Sequence, residues 1–230
     1  MAFKDPATRG VSRQVLADHV YEALLSALMD GRLEAGTPVS IDGMARELDV
    51  SPTPVREALA RLEATGMVRR TALRGYRVAP LFTPDELADL MDARLVIEPA
   101  NAFMACSRAG DGGLARELAQ AIDDLKSAPR GPAFAEFRAY WEADERFHRL
   151  VAQHAGNQFL LSAYNALGGQ VQRFRFFGGL GVTDADFAIA EHTEILKAIE
   201  AGDAGLARDK MIAHIQGVKQ RSQRDSEMRG

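Results

Sequence analysis

The sequence predicts a mainly α protein: an N-terminal winged helix-turn-helix followed by an all-helical antiparallel bundle. Three observations carry this expectation. Residues 40–79 read as a short helix, a tight turn, a longer helix and a basic hairpin. The stretch Pro80-Leu81-Phe82-Thr83-Pro84 then interrupts the chain, with Thr83, Pro84 and Glu86 forming a capping box that starts a new helix. Beyond it, apolar residues recur at helical spacing between Gly- and Pro-rich breaks, with no strand-like alternation. At 230 residues, 47% hydrophobic and 26% charged, the chain is long enough for two modest cores.

Residues 1–11 are polar and rich in breakers, and read as a disordered arm ahead of a domain spanning 12–80. A first helix is expected from about Ser12 to Asp30, turning Val15, His19, Val20, Leu24 and Leu28 inward and stopping at Gly31. An extended segment follows from Leu33 to Val39. Ser40 caps the next helix, whose Met44 and Leu48 face the core. The Asp49-Val50-Ser51 turn is too short for antiparallel packing, so the next helix must cross steeply. Thr53 is a candidate N-cap with Pro54 at the first helical position, because the residue before proline is pushed out of the helical region. Val55, Ala58, Leu59 and Leu62 form that helix's buried stripe, and Gly66 supplies its stop. Segments 67–71 and 76–79 then pair as a hairpin around 72–75.

Charge divides the chain. Residues 50–80 hold six arginines against two glutamates, a local charge of +4 on a chain of net charge −4. Positive charge beside an exposed helix face attracts a phosphate backbone through counterion release. The candidate DNA-contacting residues are Ser51, Thr53, Arg56 and Arg61 on the helix, and Arg69, Arg70, Arg74 and Gly75 in the wing. One cysteine, Cys106, rules out an intrachain disulfide, and neither a signal peptide nor a membrane span is apparent. A cytoplasmic protein that binds double-stranded DNA and no membrane is expected.

After a linker at 81–83, the second domain spans 84–222, with a tail at 223–230. Its helices are expected at about 84–108, with a kink at Pro99, and at 112–127, 132–155, 157–177, 184–201 and 203–222. Within them, four polar residues interrupt apolar stripes. Asp144 and His148 lie one turn apart beside Phe137, Tyr140, Trp141, Phe147 and Val151. His192 continues the series of Ile189, Leu196 and Ile199, and His214 sides with Ala207, Met211, Ile215 and Val218. Burying one such group costs several kcal/mol, roughly, unless it is satisfied. One divalent transition metal ion would satisfy all four, with zinc, nickel, iron and manganese all compatible with this donor set. His154, six residues past His148, falls off the face, and His19 reads as a packing residue. Arg94 on an apolar face has Glu98 four residues on; it forms either an internal ion pair or a fork for an effector carboxylate. Arg173 and Arg175, among Phe174, Phe176 and Phe177, are a second candidate lining, though a solvated or dimer-contact face suits them better.

The run ARELDVSPTPVREALARLEATGMV, followed by a wing ending RGYRVAP, resembles the winged helix of GntR-type bacterial transcription regulators. The rest of the chain resembles their FadR-like branch, with its all-helical FCD ligand-binding domain, over about Gln14 to Gln220. The resemblance implies a recognition helix beginning nearer Ser51. It also implies a metal site built from an Asp-x3-His pair and one histidine from each of two later helices, matching Asp144, His148, His192 and His214. It implies a homodimer on operator DNA, repressing or otherwise regulating transcription, controlled by a small carboxylate or hydroxycarboxylate effector. Many relatives carry Arg where Pro52 stands, so their operator does not transfer.

Three other readings compete. A regulator that answers the metal directly, without an organic effector, keeps every feature. Acyl-CoA sensing leaves the metal ligands idle. A metal-dependent hydrolase needs a placed general base such as the Glu of His-Glu-x-x-His; no such motif occurs, Glu145 lies on a neighbouring face, and the winged helix would be unexplained. A regulator rather than an enzyme is expected.

Overall fold

The computed structural model describes residues 13–71, 75–110, 112–131, 134–177 and 184–227; for 13–14, 172–177 and 225–227 it describes the backbone alone. The expected arm at 1–11, Arg74, and the side chains of Arg173, Phe174, Arg175, Phe176 and Phe177 therefore lie outside the described residues. The chain divides into two compact units, Met1–Pro80 and Leu81–Gly230.

In the first unit, helix α1 (Arg13–Met29) packs on α3 (Pro52–Ala64), with α2 (Ile41–Glu47) alongside. Ser40 caps α2, accepting a hydrogen bond from Gly43 N at 3.1 Å. The turn between α2 and α3 is made by Asp49 at φ 50°, a left-handed conformation that aspartate tolerates better than most residues. Strand β1 (Pro38–Val39) joins β2 (Val68–Thr71) and β3 (Gly75–Val78) in an antiparallel sheet of order β1-β3-β2. Val55, Ala58, Leu59 and Leu62 are all wholly buried.

Two expectations for this unit are corrected. Helix α3 begins at Pro52 with Ser51 as N-cap, not at Pro54 with Thr53 as cap. The first four N–H groups of a helix have no internal partner, so prolines at its first and third positions cost no hydrogen bond. On α1, Val15 and His19 are exposed, and the buried face is Ala17, Val20, Leu24, Leu25 and Leu28. Leu25 rather than His19 completes the face, which lies one position round from the expected stripe.

In the second unit, α4 (Pro84–Arg108) opens with the full capping box: Glu86 N donates to Thr83 Oγ1 at 3.2 Å and Thr83 N to Glu86 Oε2 at 2.9 Å. It runs unbroken through Pro99. It packs on α6 (Phe134–His154), α7 (Gln158–Phe177) and α9 (Ala204–Glu227), while α5 (Gly113–Ser127) packs on α6 and α8 (Ala185–Glu200). The shared core includes Met91, Leu118, Phe147, Ile195, Met211 and Ile215. Helix α9 continues to Glu227, past the expected end at 222, although its apolar stripe stops at Val218.

Candidate metal centre and nucleic-acid interface

Helices α6, α8 and α9 each deliver a histidine to one point. Asp144, His148, His192 and His214 are all buried, His192 and His214 completely. His148 Nε2 is 3.2 Å from His192 Nε2 and 3.3 Å from His214 Nε2. One ring nitrogen from each of the three histidines lies within 4.8 Å of the others. Asp144 stands at the edge of this group, Oδ1 being 3.9 Å from His192 Nε2. Phe147 stacks on His192, with ring centroids 4.1 Å apart and planes 12° from parallel, and so fixes that ring against rotation.

Two carboxylates set the orientation of the other imidazoles. Glu98 of α4 places Oε2 2.6 Å from His148 Nδ1, and Glu191 of α8 places Oε2 2.7 Å from His214 Nδ1. A carboxylate accepts, so the Glu191 contact puts the proton of the neutral His214 ring on Nδ1 and leaves its Nε2 lone pair facing inward. His148 Nε2 and His192 Nε2 stand close to that lone pair, so three ring nitrogens converge in a buried interior. With nitrogen–metal bonds of about 2.0–2.1 Å, two ligands on one ion stand roughly 2.9–3.4 Å apart, and both observed separations fall in that range. The donor set therefore fits a divalent ion.

Behind Glu98, Arg94 donates from Nε to Oε1 at 2.5 Å and from Nη2 to Oε2 at 3.4 Å. The structure thus holds Arg94 in the internal ion pair. Burial would raise the Glu98 carboxyl, but the Arg94 guanidinium and His148 outweigh it and hold it well below the usual carboxylate range. Tyr164 of α7 is also buried; burial first, then the negative field of Glu98 and Glu145, pushes its hydroxyl well above the ordinary tyrosine value. Asn101, three residues past Glu98, is 1% exposed, and its amide has no hydrogen-bond partner among the described residues. His154 lies apart from the cluster, partly exposed and 3.4 Å from Glu117.

The sequence presents Glu98 only as a partner for Arg94 and gives Glu191 no role. The available signal for Glu191 was its place next to His192, one turn from the start of the Ile195–Ile199 stripe.

The polar residues singled out in the first unit are on the surface. Ser51, Thr53, Arg56, Arg61, Arg69, Arg70 and Gly75 are all exposed. Ser51 makes no side-chain cap bond, and Gly75 has φ 77°. Arg69 and Arg77 sit directly opposite each other on β2 and β3, a like-charge pairing that disfavours a hairpin and favours contact with an anion. Arg61 differs from the rest: it pairs with Asp18 of α1 at 2.6 Å and lies 4.0 Å over the Tyr21 ring.

A winged helix with an arginine-bearing free face defines a DNA-binding protein of the helix-turn-helix class. The family assignment follows. The description "Bacterial regulatory proteins, gntR family" matches residues 16–78, and the FCD domain matches residues 89–217. The chain belongs to the GntR family of bacterial transcription regulators and carries an FCD domain; it is not an enzyme.

Over 211 residues it is 30% identical to a transcriptional repressor attributed to a D-xylose utilization operon of Paenarthrobacter nicotinovorans, covering 92% of this chain and 90% of that protein. It is also 30% identical, over 226 residues, to a regulatory protein attributed to the L-lactate dehydrogenase operon of Escherichia coli K12, covering 88% and 84%. Among solved structures, E. coli McbR/YncC shares the fold with a TM-score of 0.70 at 18% identity, covering 92% of this chain and 98% of that one. No described helix is long and apolar enough to cross a membrane.

Proposed function

We propose that this regulator is a homodimeric, cytoplasmic repressor whose operator affinity is set by a small carboxylate or hydroxycarboxylate held at a divalent metal ion in the FCD domain. The supporting observation is the buried cluster of His148, His192 and His214, one ring nitrogen of each within 4.8 Å of the others, with carboxylates of Glu98 and Glu191 against the outer nitrogens of His148 and His214. His192 and Asp144 complete the ligand set in this reading. The ion would supply a Lewis-acidic centre for an oxygen ligand. Arg94 holds Glu98 in place, and Glu98 lies 2.6 Å from His148 Nδ1, the position from which second-sphere groups tune a metal.

An organic effector, rather than metal alone, is favoured by Asn101. Its buried amide offers a donor and an acceptor on the same α4 face as Arg94 and Glu98, where an unmet polar group costs about 1–3 kcal/mol. The relative attributed to an L-lactate dehydrogenase operon points toward a hydroxycarboxylate. A dimer held by the FCD domain is supported by Val96 and Phe103, seven residues apart on one α4 face and 75% and 43% exposed. It is supported too by the small footprint of a single winged helix. The effector acts by differential affinity for DNA-competent and incompetent dimers.

Metal analysis and ligand identification on protein purified without a chelating column test the reading. Operator titrations follow, with metal alone and with metal plus a series of small carboxylates. Bound metal and a response only to metal plus carboxylate are expected. A response to metal alone assigns direct metal sensing, and the absence of bound metal removes the site.

A further inference from the structure

Two turns beyond His214 on α9, Arg221 is almost fully committed to α8. Its Nη1 and Nη2 donate to Glu191 Oε1 and Oε2 at 2.7 and 2.9 Å, and its Nε donates to Asp184 Oδ2 at 3.1 Å. Its guanidinium also lies 5.6 Å from the Phe187 ring centroid. The carboxylate it grips in this fork is the one that receives His214 Nδ1.

Between them, Gly217 leaves the space this pair occupies. A Cβ at that position would stand 2.7 Å from Glu191 Oε1 and 2.8 Å from Arg221 Nη1, closer than side-chain carbons come to such atoms. Glycine inside a helix costs about 1 kcal/mol relative to alanine. A methyl group there would have to push the ends of the Glu191 and Arg221 side chains aside, so its effect falls on the fork and not on the backbone.

We propose that Arg221, seated over Gly217, is a positioning residue: it clamps Glu191, Glu191 holds His214 in its Nδ1–H tautomer, and the affinity of the histidine cluster for a metal ion depends on that clamp. This rests on the metal reading above. Glu191 is a quarter exposed, so without the fork it is free to turn toward water and release the ring. Asp184, directly ahead of α8, brings the start of that helix into the same network. Arg221 lies four residues beyond the stretch matched by the FCD domain, on the part of α9 that continues to Glu227.

Zn2+ alone is the probe, titrated into the full chain against a competing chelator. Arg221→Met and Gly217→Ala are each expected to weaken binding by about 10–100-fold, with Arg221→Lys recovering part of the loss. In the chelator-treated proteins, 15N-histidine spectra are expected to show the Nδ1–H tautomer of His214 in the wild type and its loss in Arg221→Met and Gly217→Ala. Wild-type Zn2+ affinity in both variants would overturn this inference and leave the metal reading intact. Weaker binding with an unchanged His214 tautomer would also overturn it, since the effect would then be general loosening of α9. No Zn2+ binding by the wild type would overturn both.

Discussion

The two units of this chain handle polar residues in opposite ways. In the winged helix the chemistry-bearing side chains stand outside a closed apolar core: Arg56, Arg69 and Arg70 are exposed, while Val55, Leu59 and Leu62 are sealed. In the FCD domain they are the core: Arg94, Glu98, Asp144, His148, His192 and His214 are all buried among the packed apolar residues. An exposed arginine contributes almost nothing to folding and is available to a partner. A buried ion or imidazole is tied to the stability of everything round it. Mutations in the first unit should therefore change binding while leaving stability alone, and mutations in the second should change both.

The largest effect is expected at Arg94. Arg94→Met strands the Glu98 carboxylate in the interior with only His148 beside it. Breaking such a pair costs about 3–5 kcal/mol, and the melting of the FCD domain should show it. Adding Glu98→Leu should recover much of the loss, because removing both charges also removes the desolvation penalty. A single Arg94→Met variant as stable as the wild type would mean the pair contributes nothing, and would break the contrast between the units at its strongest point.

Chelation should come next. A ligand at 100 times its dissociation constant stabilises the folded state by about 2.7 kcal/mol, so stripping the metal should lower the FCD transition and leave the winged-helix transition where it was. His192→Ala should lower metal content and effector response together. His154→Ala, at a partly exposed ring away from the cluster, should change neither. An unmoved transition after chelation, with a His192→Ala protein that answers its effector normally, would remove the site.

Arg56→Ala is expected to weaken specific operator binding by about 1–3 kcal/mol without lowering the melting temperature. A gel-shift titration at fixed salt decides it. Wild-type affinity would take Arg56 out of the interface.

How much of this was readable beforehand follows the same division. The winged helix was legible from turn chemistry and charge, because those signals are local. The helix is capped at Ser51 and not at Thr53 because the freedom of a helix's first turn outweighs the restriction that Pro54 places on the residue before it. His148, His192 and His214 were legible because each breaks an apolar period. Glu191 was not. It is half-buried at the edge of its stripe and looks like an ordinary surface acid until α9 lays His214 and Arg221 against it. The Arg61 pairing was equally hidden: its partner, Asp18, is 43 residues away, and no spacing rule reaches that far.

Arg61 and Arg69 therefore sharpen the comparison at its finest grain. Both are exposed arginines in the basic half of the first unit, and composition treats them alike. Arg69 faces Arg77 across the hairpin, a repulsion that a phosphate would relieve. Arg61 is already neutralised by Asp18 and stacked on Tyr21, so its charge is largely answered within the fold. Arg69→Ala should weaken binding to every DNA sequence and reduce the salt slope by about 1. Arg61→Ala should leave that slope unchanged and cost at most about 1 kcal/mol of stability, the worth of an exposed pair. Titrations of both variants at several salt concentrations separate the two. Equal slopes for Arg61→Ala and Arg69→Ala would show that Arg61 leaves Asp18 to meet the backbone.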